Sequence, residues 1–390
     1  MSGAGRADRA AAVLAALLLL NYLLWLVFPG AAGGAAIAVA LSGVATAGYL
    51  ALEVSARRIF VAAVIGAGFL LLFFEPITAW DARSIWFFHA KRMFFDGSIA
   101  ARLDNYPEWS RAGYPDLVPA AAASIATLFG VWNEVLPKVA LLLALAPPIV
   151  VLMSRCVPLP VKMLMIGSIV LVARDQLLNG YMDAHLALYV AAAAVLTREA
   201  MAMRFPPAHF TPAFVLLGCA AAIKDEGIVM ALLLLAPLAL LLHRTRARGA
   251  ELAKAVSVAA FAGLPILLWK LQVSAANIPG LADAGALARG GSRLAGPEPL
   301  LIFSALLSET RLALVALLLL ALLVGKLERV LWYFVVGYLT VLFVVYMTTP
   351  YDVLWQLSTS VDRVTLVVRL LVAIVLVLEL QRWLQRREPL

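Results

Sequence analysis

Charged side chains are scarce in this chain: only 14% of its 390 residues are Asp, Glu, Lys or Arg, whereas 64% are hydrophobic. A soluble globular protein has about 25% charged and about 45–50% apolar residues. A soluble core cannot hide this much apolar side chain from water, but a lipid bilayer can. The composition therefore excludes a soluble domain, a disordered chain and a nucleic-acid-binding protein, and it predicts a polytopic membrane protein.

Cysteine and histidine are also rare. The two cysteines, Cys156 and Cys219, lie in apolar sequence and are too few for a disulfide framework or a structural zinc site. The four histidines have no metal-ligand spacing. The sequence also lacks a Walker loop, GxSxG, HExxH, CxxC and a dinucleotide fingerprint, so it has none of these soluble-enzyme signatures and predicts no metal ligand.

Long apolar runs are abundant. They predict an all-α polytopic membrane protein with about 12 transmembrane helices (about 11 to 13), because each run is long enough, or nearly so, to cross a bilayer. The runs cover residues 10–28, 32–52, 59–74, 137–153, 159–173, 183–197, 211–223, 227–243, 255–271, 311–325, 329–347 and 364–381.

A further apolar run, residues 117–130, is shorter and consists mostly of small residues. Basic residues outnumber acidic ones, 31 to 23, and they collect in cytoplasmic loops of membrane proteins. Both termini and the basic loop 243–254 lie inside only if run 117–130 does not cross. We therefore predict a half-inserted helix docked on the outer side of one transmembrane domain that comprises residues 1–390.

The outer loop 75–116 carries the most polar residues. Its aromatic and basic side chains alternate as in an amphipathic helix that lies in the headgroup layer. Asp81 stands at the start of this helix, where a carboxylate among aromatic side chains suits a general base. A helix N-cap and a partner for Arg83 are the alternatives for Asp81.

Other candidates follow later in the chain. Asp183 begins a span, and residues 224–226 (Lys-Asp-Glu) form a tight charged turn, which is expensive near lipid unless the charges pair or face a wet cavity. Arg363, after three hydroxyl residues, is a candidate phosphate ligand or an interfacial anchor. Arg369 lies deeper in the last span, where it faces the bundle interior or pairs with a carboxylate.

The order of these segments resembles the GT-C superfamily of integral membrane glycosyltransferases, which includes protein O-mannosyltransferases and the lipid A aminoarabinose transferase. Those enzymes place a catalytic Asp or Glu between a membrane helix and juxtamembrane helices, and TAWDARSIWFFHAKRMFFDG (78–97) is similar to that segment. The later family elements are matched, in order, by GYPDLVPAAAASIATLFGVWNE (113–134), GYMDAHLALY (180–189), KDEG (224–227) and STSVDR (358–363).

The resemblance implies a catalytic core in residues 59–245, with the outer loop 75–116, and variable C-terminal helices in 246–390, with outer loops 272–297 and 348–363. It implies that Asp81 is the catalytic residue. The implied substrate-binding residues are Lys224, Glu226, Asp183, Arg363, Arg369, Lys91, His89 and Tyr114.

The implied reaction transfers a sugar from a polyprenyl-phosphate donor to a glycan, lipid or protein acceptor, with inversion, at the outer face of a bacterial-type inner membrane. The resemblance implies no particular cofactor; a divalent metal is optional, because the carrier phosphate is a good leaving group, and the sequence does not indicate one. Three alternatives stay open: a polytopic transporter, a lipid flippase of the cell envelope, and a glycan polymerase or ligase that uses a pyrophosphate-linked donor.

Overall fold

The structure is a computed structural model that describes residues 3–28, 36, 38–44, 76–101, 103–203, 210–244, 249–278, 285–324 and 329–387. Within these residues all regular elements are helical. The α-helices are α1 (Gly3–Val27), α2 (Phe87–Asp96), α3 (Leu117–Phe129), α4 (Val139–Arg155), α5 (Leu159–Ala173), α6 (Asp183–Met203), α7 (Thr211–Ile223), α8 (Asp225–Arg244), α9 (Ala250–Ala275), α10 (Ala286–Arg293), α11 (Glu298–Val324), α12 (Arg329–Thr348) and α13 (Val353–Arg387).

Seven helices in the described part of the chain are long and apolar enough to cross a membrane: Ala4–Val27, Leu136–Arg155, Asp225–Arg244, Ala250–Ala275, Glu298–Leu322, Arg329–Thr348 and Val353–Arg386. Helices α3, α5 and α7 are apolar but shorter. The all-α, multi-pass class is thereby confirmed, while the number of twelve spans stays a prediction. Of the predicted runs, 59–74 and most of 32–52 lie outside the described residues, and each of the others falls on a helix.

Helix α6 forms the centre of the bundle. It packs against α4, α7, α8, α12 and α13, and its residues 184–195 are almost wholly buried. Four consecutive alanines, residues 191–194, contribute to the close packing of α6, because small side chains let helix backbones approach closely.

Ion pairs hold together the C-terminal end of α6 and its neighbours. The Arg155 guanidinium pairs with Asp8 and lies 2.9 Å from Glu199 Oε2, which joins α4 to α1 and α6. Arg198 pairs with Glu379 on α13. These contacts lie about 24 Å along α6 from Asp183, at the end that the basic residues assign to the cytoplasm.

The short helix α3 packs against α1, α2 and α4, and its residues 117–126 are buried. The indole of Trp25 donates to Ser124 Oγ at 2.8 Å, and Ser124 donates to Asn21 Oδ1 at 2.8 Å, so α3 is bonded to α1 through buried polar groups. That residues 117–130 do not cross the membrane stays a prediction from the distribution of basic residues.

Candidate active site

Five charged side chains from four separate segments meet at the N-terminal end of α6. Asp81 comes just before α2, Asp183 is the first residue of α6, Lys224 and Glu226 lie at the turn between α7 and α8, and Arg363 projects from α13. We call these five residues the central charge cluster. The sequence separates them by up to 282 positions, so the fold of the whole bundle is what brings them together.

Asp183 links the two cations of the cluster. Its Oδ1 lies 2.9 Å from Lys224 Nζ, and its Oδ2 lies 4.0 Å from Arg363 Nη1. Lys224 Nζ is also 3.3 Å from Glu226 Oε1. The cluster is thus a continuous network of opposite charges, as a group of ions at membrane depth requires.

Asp81 forms an ion pair with Arg363. Its side chain makes no hydrogen bond to the start of the following helical turn, so it is not a side-chain N-cap. Its partner is Arg363 and not the neighbouring Arg83, which is exposed. Both alternatives considered for Asp81 are therefore wrong, and its carboxylate belongs to the cluster.

A π-helical turn, Ala82–Trp86, follows Asp81 directly. Such turns are rare in proteins overall, and those that occur are often found at functional sites. Gly180 packs against it: a Cβ on Gly180 would lie 2.7 Å from the Cβ of Ala82 and 3.2 Å from a ring carbon of Phe87. With a φ of +90°, residue 180 has a conformation that L-residues rarely adopt, so glycine here lets the Asp81 segment approach α6.

A second glycine shapes the turn that carries Lys224 and Glu226. A Cβ on Gly227 would lie 1.9 Å from the carbonyl oxygen of Ala220, so only glycine fits where α7 passes into α8. The turn thereby places Lys224 between Glu226 and Asp183, and its ammonium group contacts both carboxylates.

Lys224 is a buried cation. Its side chain is 7% exposed, and that of Asp183 is 5% exposed. Burial alone lowers the pKa of an amine, but the negative charges of Asp183 and Glu226 hold the pKa of Lys224 well above its ordinary value. The ammonium group therefore stays charged and can donate hydrogen bonds.

The cluster borders a small cavity of about 10 Å³ whose polar lining includes Asp183, Glu226, Arg363 and Tyr338. The buried Glu226 Oε2 has no hydrogen-bond partner among the residues that the structure describes. An unpaired buried carboxylate oxygen costs free energy, and it is ready to accept a hydrogen bond from a ligand. The cavity is thus lined by both donors and acceptors for a polar ligand.

Tyrosines that we did not predict surround the cluster. The guanidinium of Arg363 lies 4.9 Å from the centre of the Tyr181 ring, a cation–π contact. Tyr338 donates from its hydroxyl to the carbonyl of Val364 at 3.0 Å, and Tyr346 Oη lies 2.8 Å from Ser360 Oγ. Both pairs bind α12 to the segment of α13 that carries Arg363.

Tyr114, a predicted substrate residue, lies beside the cluster. Its ring stacks on Trp86 with centres 5.5 Å apart. Burial raises the pKa of Tyr114, and the charge of Glu226 raises it further, so the phenol stays protonated. The loop around it is tied to α9, because Trp269 and Lys270 both donate to the carbonyl of Gly113.

Three predicted substrate residues lie outside the cluster. His89 is buried between the Asp116 carboxylate (2.7 Å) and the carbonyl of Ser110 (2.8 Å), where it holds the outer loop together. Lys91 is exposed on the other face of α2. Arg369 pairs with Asp362 at 2.6 Å, the carboxylate pairing that we considered for it.

Among the residues that the structure describes, no three His, Cys, Asp or Glu side chains come together in a group that could hold a metal ion. What the cluster offers is a carboxylate that can accept a proton, two cations that can bind an anion, and two further carboxylates that can accept hydrogen bonds from hydroxyl groups.

Comparison with known proteins gives no match: no family model, no curated protein and no solved structure is similar to this chain at a significant level.

Proposed function

We propose that the chain is an integral membrane glycosyltransferase of the GT-C type, which moves a sugar from a polyprenyl-phosphate donor to an acceptor on the outer face of a bacterial-type cytoplasmic membrane. One observation carries the proposal. The sequence motifs single out Asp81, Asp183, Lys224, Glu226 and Arg363 in four separate segments, and these residues form one charge cluster. Three of them, Asp183, Glu226 and Arg363, line a small cavity.

Asp81 is the general base of the proposed reaction. It is half-buried at the start of the π-turn, where it pairs with Arg363, a residue of the cavity lining. Once released from that pair, the carboxylate can remove the proton of an acceptor hydroxyl as this hydroxyl attacks.

Arg363 and Lys224 are the cations for the donor phosphate. A guanidinium binds phosphate oxygens through paired charge-assisted hydrogen bonds, and the ammonium group of Lys224 adds a compact charge. Arg363 is paired with Asp81. A donor phosphate competes for that guanidinium, and its binding would release the Asp81 carboxylate for the acceptor.

In the proposed step the acceptor oxygen forms a bond to the anomeric carbon while Asp81 takes the hydroxyl proton. The bond between the anomeric carbon and the bridging phosphate oxygen breaks, and its electron pair leaves with the polyprenyl phosphate. The sugar is thereby transferred with inversion. Arg363 and Lys224 stabilise the negative charge that develops on the leaving phosphate.

Asp183 and Glu226 hold the sugar and the lysine. The unpartnered Glu226 Oε2 can accept a hydrogen bond from a sugar hydroxyl. Asp183 orients Lys224 through its 2.9 Å contact. The apolar tail of a polyprenyl carrier cannot leave the lipid, so the donor enters the site laterally from the bilayer.

The proposal is tested by transfer from a panel of radiolabelled polyprenyl-phosphate sugars by the purified chain in liposomes that contain membrane extract as acceptor. We expect label to move from at least one donor to the acceptor, with inverted configuration at the anomeric carbon. Turnover of pyrophosphate-linked donors alone would favour the polymerase or ligase alternative, and release of intact labelled donor across the bilayer would favour a flippase.

A further inference from the structure

An open cleft lies beside α2, separate from the central charge cluster. Its volume is about 750 Å³, and it shares no lining residue with the cavity of the cluster. One wall is formed by α2 and the π-turn, and the opposite wall by the segment that connects α3 to α4. The role assigned to the cluster does not use this cleft.

Basic residues dominate the charge of the cleft. Arg83 and Lys91 lie on one face of the α2 segment with Phe87 between them, and Lys138 is buried in the opposite wall. The only acidic residue among the described lining residues is the exposed Glu134. The cleft thus carries a positive excess that suits an anion.

Arg83 and Lys91 are exposed, and neither forms an ion pair or a side-chain hydrogen bond with any residue that the structure describes. Elsewhere in the outer loop, cations have partners: Arg92 pairs with Asp96, and Arg111 donates to Tyr351. Arg83 and Lys91 are therefore available to a ligand.

Large apolar side chains line the same cleft. Phe87, Phe88 and Trp132 face it together with Ile77 and Val135. The indole nitrogen of Trp132 is buried without a hydrogen-bond partner. Cationic side chains next to aromatic and aliphatic ones are complementary to an amphiphile that has an anionic head and an apolar chain.

We infer that this cleft is a binding site for the head group of an anionic glycerophospholipid. The phosphate lies between Arg83 and Lys91, and the first part of the acyl chain packs along Phe88 and Trp132. A small soluble anion would use the cations alone and would leave the apolar wall without a ligand. The inference concerns lipid binding only and does not depend on the proposed glycosyl transfer.

The test is lipid binding by the purified full chain in detergent, counted by native mass spectrometry during titration with phosphatidylglycerol or phosphatidylcholine. We expect one phosphatidylglycerol per chain to bind at least tenfold more tightly than phosphatidylcholine. In the double variant Arg83→Gln/Lys91→Gln, that affinity should fall about thirtyfold, because each basic residue contributes about 1 kcal/mol, or about fivefold.

Two further variants keep the test specific. Lys254→Gln removes an exposed cation at the far end of α9 and should leave the affinity unchanged. Trp132→Ala should weaken phosphatidylglycerol binding but leave the charge of the cleft intact. Equal binding by the wild-type chain and the double variant would overturn the inference, and so would displacement of the lipid by an equal concentration of inorganic phosphate.

Discussion

Asp183 is the residue on which the central charge cluster depends. It is the only carboxylate of the cluster that contacts Lys224 and also lies within 4.0 Å of Arg363. A buried cation that loses its partner is strongly unfavourable. Asp183 therefore positions both cations before any donor arrives, which is the arrangement that transition-state stabilisation by fixed charges needs.

The role of Arg363 is tested by the affinity of the purified chain for polyprenyl phosphate. Arg363→Ala removes a charge-assisted hydrogen bond that is worth about 1.5–3 kcal/mol, so the dissociation constant should rise about 10- to 100-fold. Arg369→Ala is the matched control, since Arg369 lies on the same helix and pairs with Asp362 outside the cluster. Equal affinity of the wild type and Arg363→Ala would refute the phosphate role.

Charged residues of the cluster could be predicted from the sequence because charges are few in so apolar a chain. Asp81, Asp183 and Arg363 each stand out at the end of an apolar run. Tyr181 and Tyr338 could not be predicted, because tyrosines are common at membrane boundaries for reasons unrelated to a site. Lys91 lies outside the cluster although it is close to Asp81 in sequence, since nearby residues of one helix point to different faces.

At the scale of elements, the contact between the π-turn and the loop before α6 sets the position of Asp81. The π-turn itself has no sequence pattern that we could use, although the amphipathic pattern of α2 does predict a helix there. Helix α10 was also missed in the loop 272–297. Its Arg289 and Arg293 donate to carbonyls at and just beyond the C-terminal end of α12, which satisfies groups that a helix end leaves unpaired.

Gly180→Ala tests this contact. The added methyl group would clash with Ala82, and a left-handed conformation costs an L-residue about 1–2 kcal/mol. We expect a lower midpoint of thermal unfolding and at least a tenfold slower sugar transfer, because Asp81 moves away from α6. In the control Gly167→Ala nothing lies within 4 Å of the new Cβ, so both quantities should stay near the wild-type values. A transfer rate unchanged by Gly180→Ala would show that this contact does not position Asp81.

At the scale of the whole molecule, the bundle has two ends of different chemistry. One end holds the central charge cluster and the basic cleft, and the other holds the ion pairs of Arg155 and Arg198. The multi-pass class follows from composition alone, since only a bilayer accommodates so much apolar surface. The sides of the membrane stay a prediction from the basic residues, because contacts within the protein do not report on them.

The orientation is tested by labelling intact cells with a thiol reagent that cannot cross membranes. Glu134→Cys should react from outside, because residue 134 is exposed at the end that carries the cluster. Lys254→Cys should react only after the membrane is opened. The native Cys156 and Cys219 are buried and add little background. The opposite labelling pattern would place the cluster in the cytoplasm and contradict an outward-facing reaction.

The central claim, that the cluster catalyses sugar transfer with Asp81 as its base, is tested most directly by the transfer rate of Asp81→Asn. Removal of a general base typically costs about 10²- to 10⁴-fold, so we expect a loss of this size. Asp362→Asn, which changes a carboxylate outside the cluster, should retain a rate close to that of the wild type. A rate for Asp81→Asn near that of the wild-type chain would contradict the account.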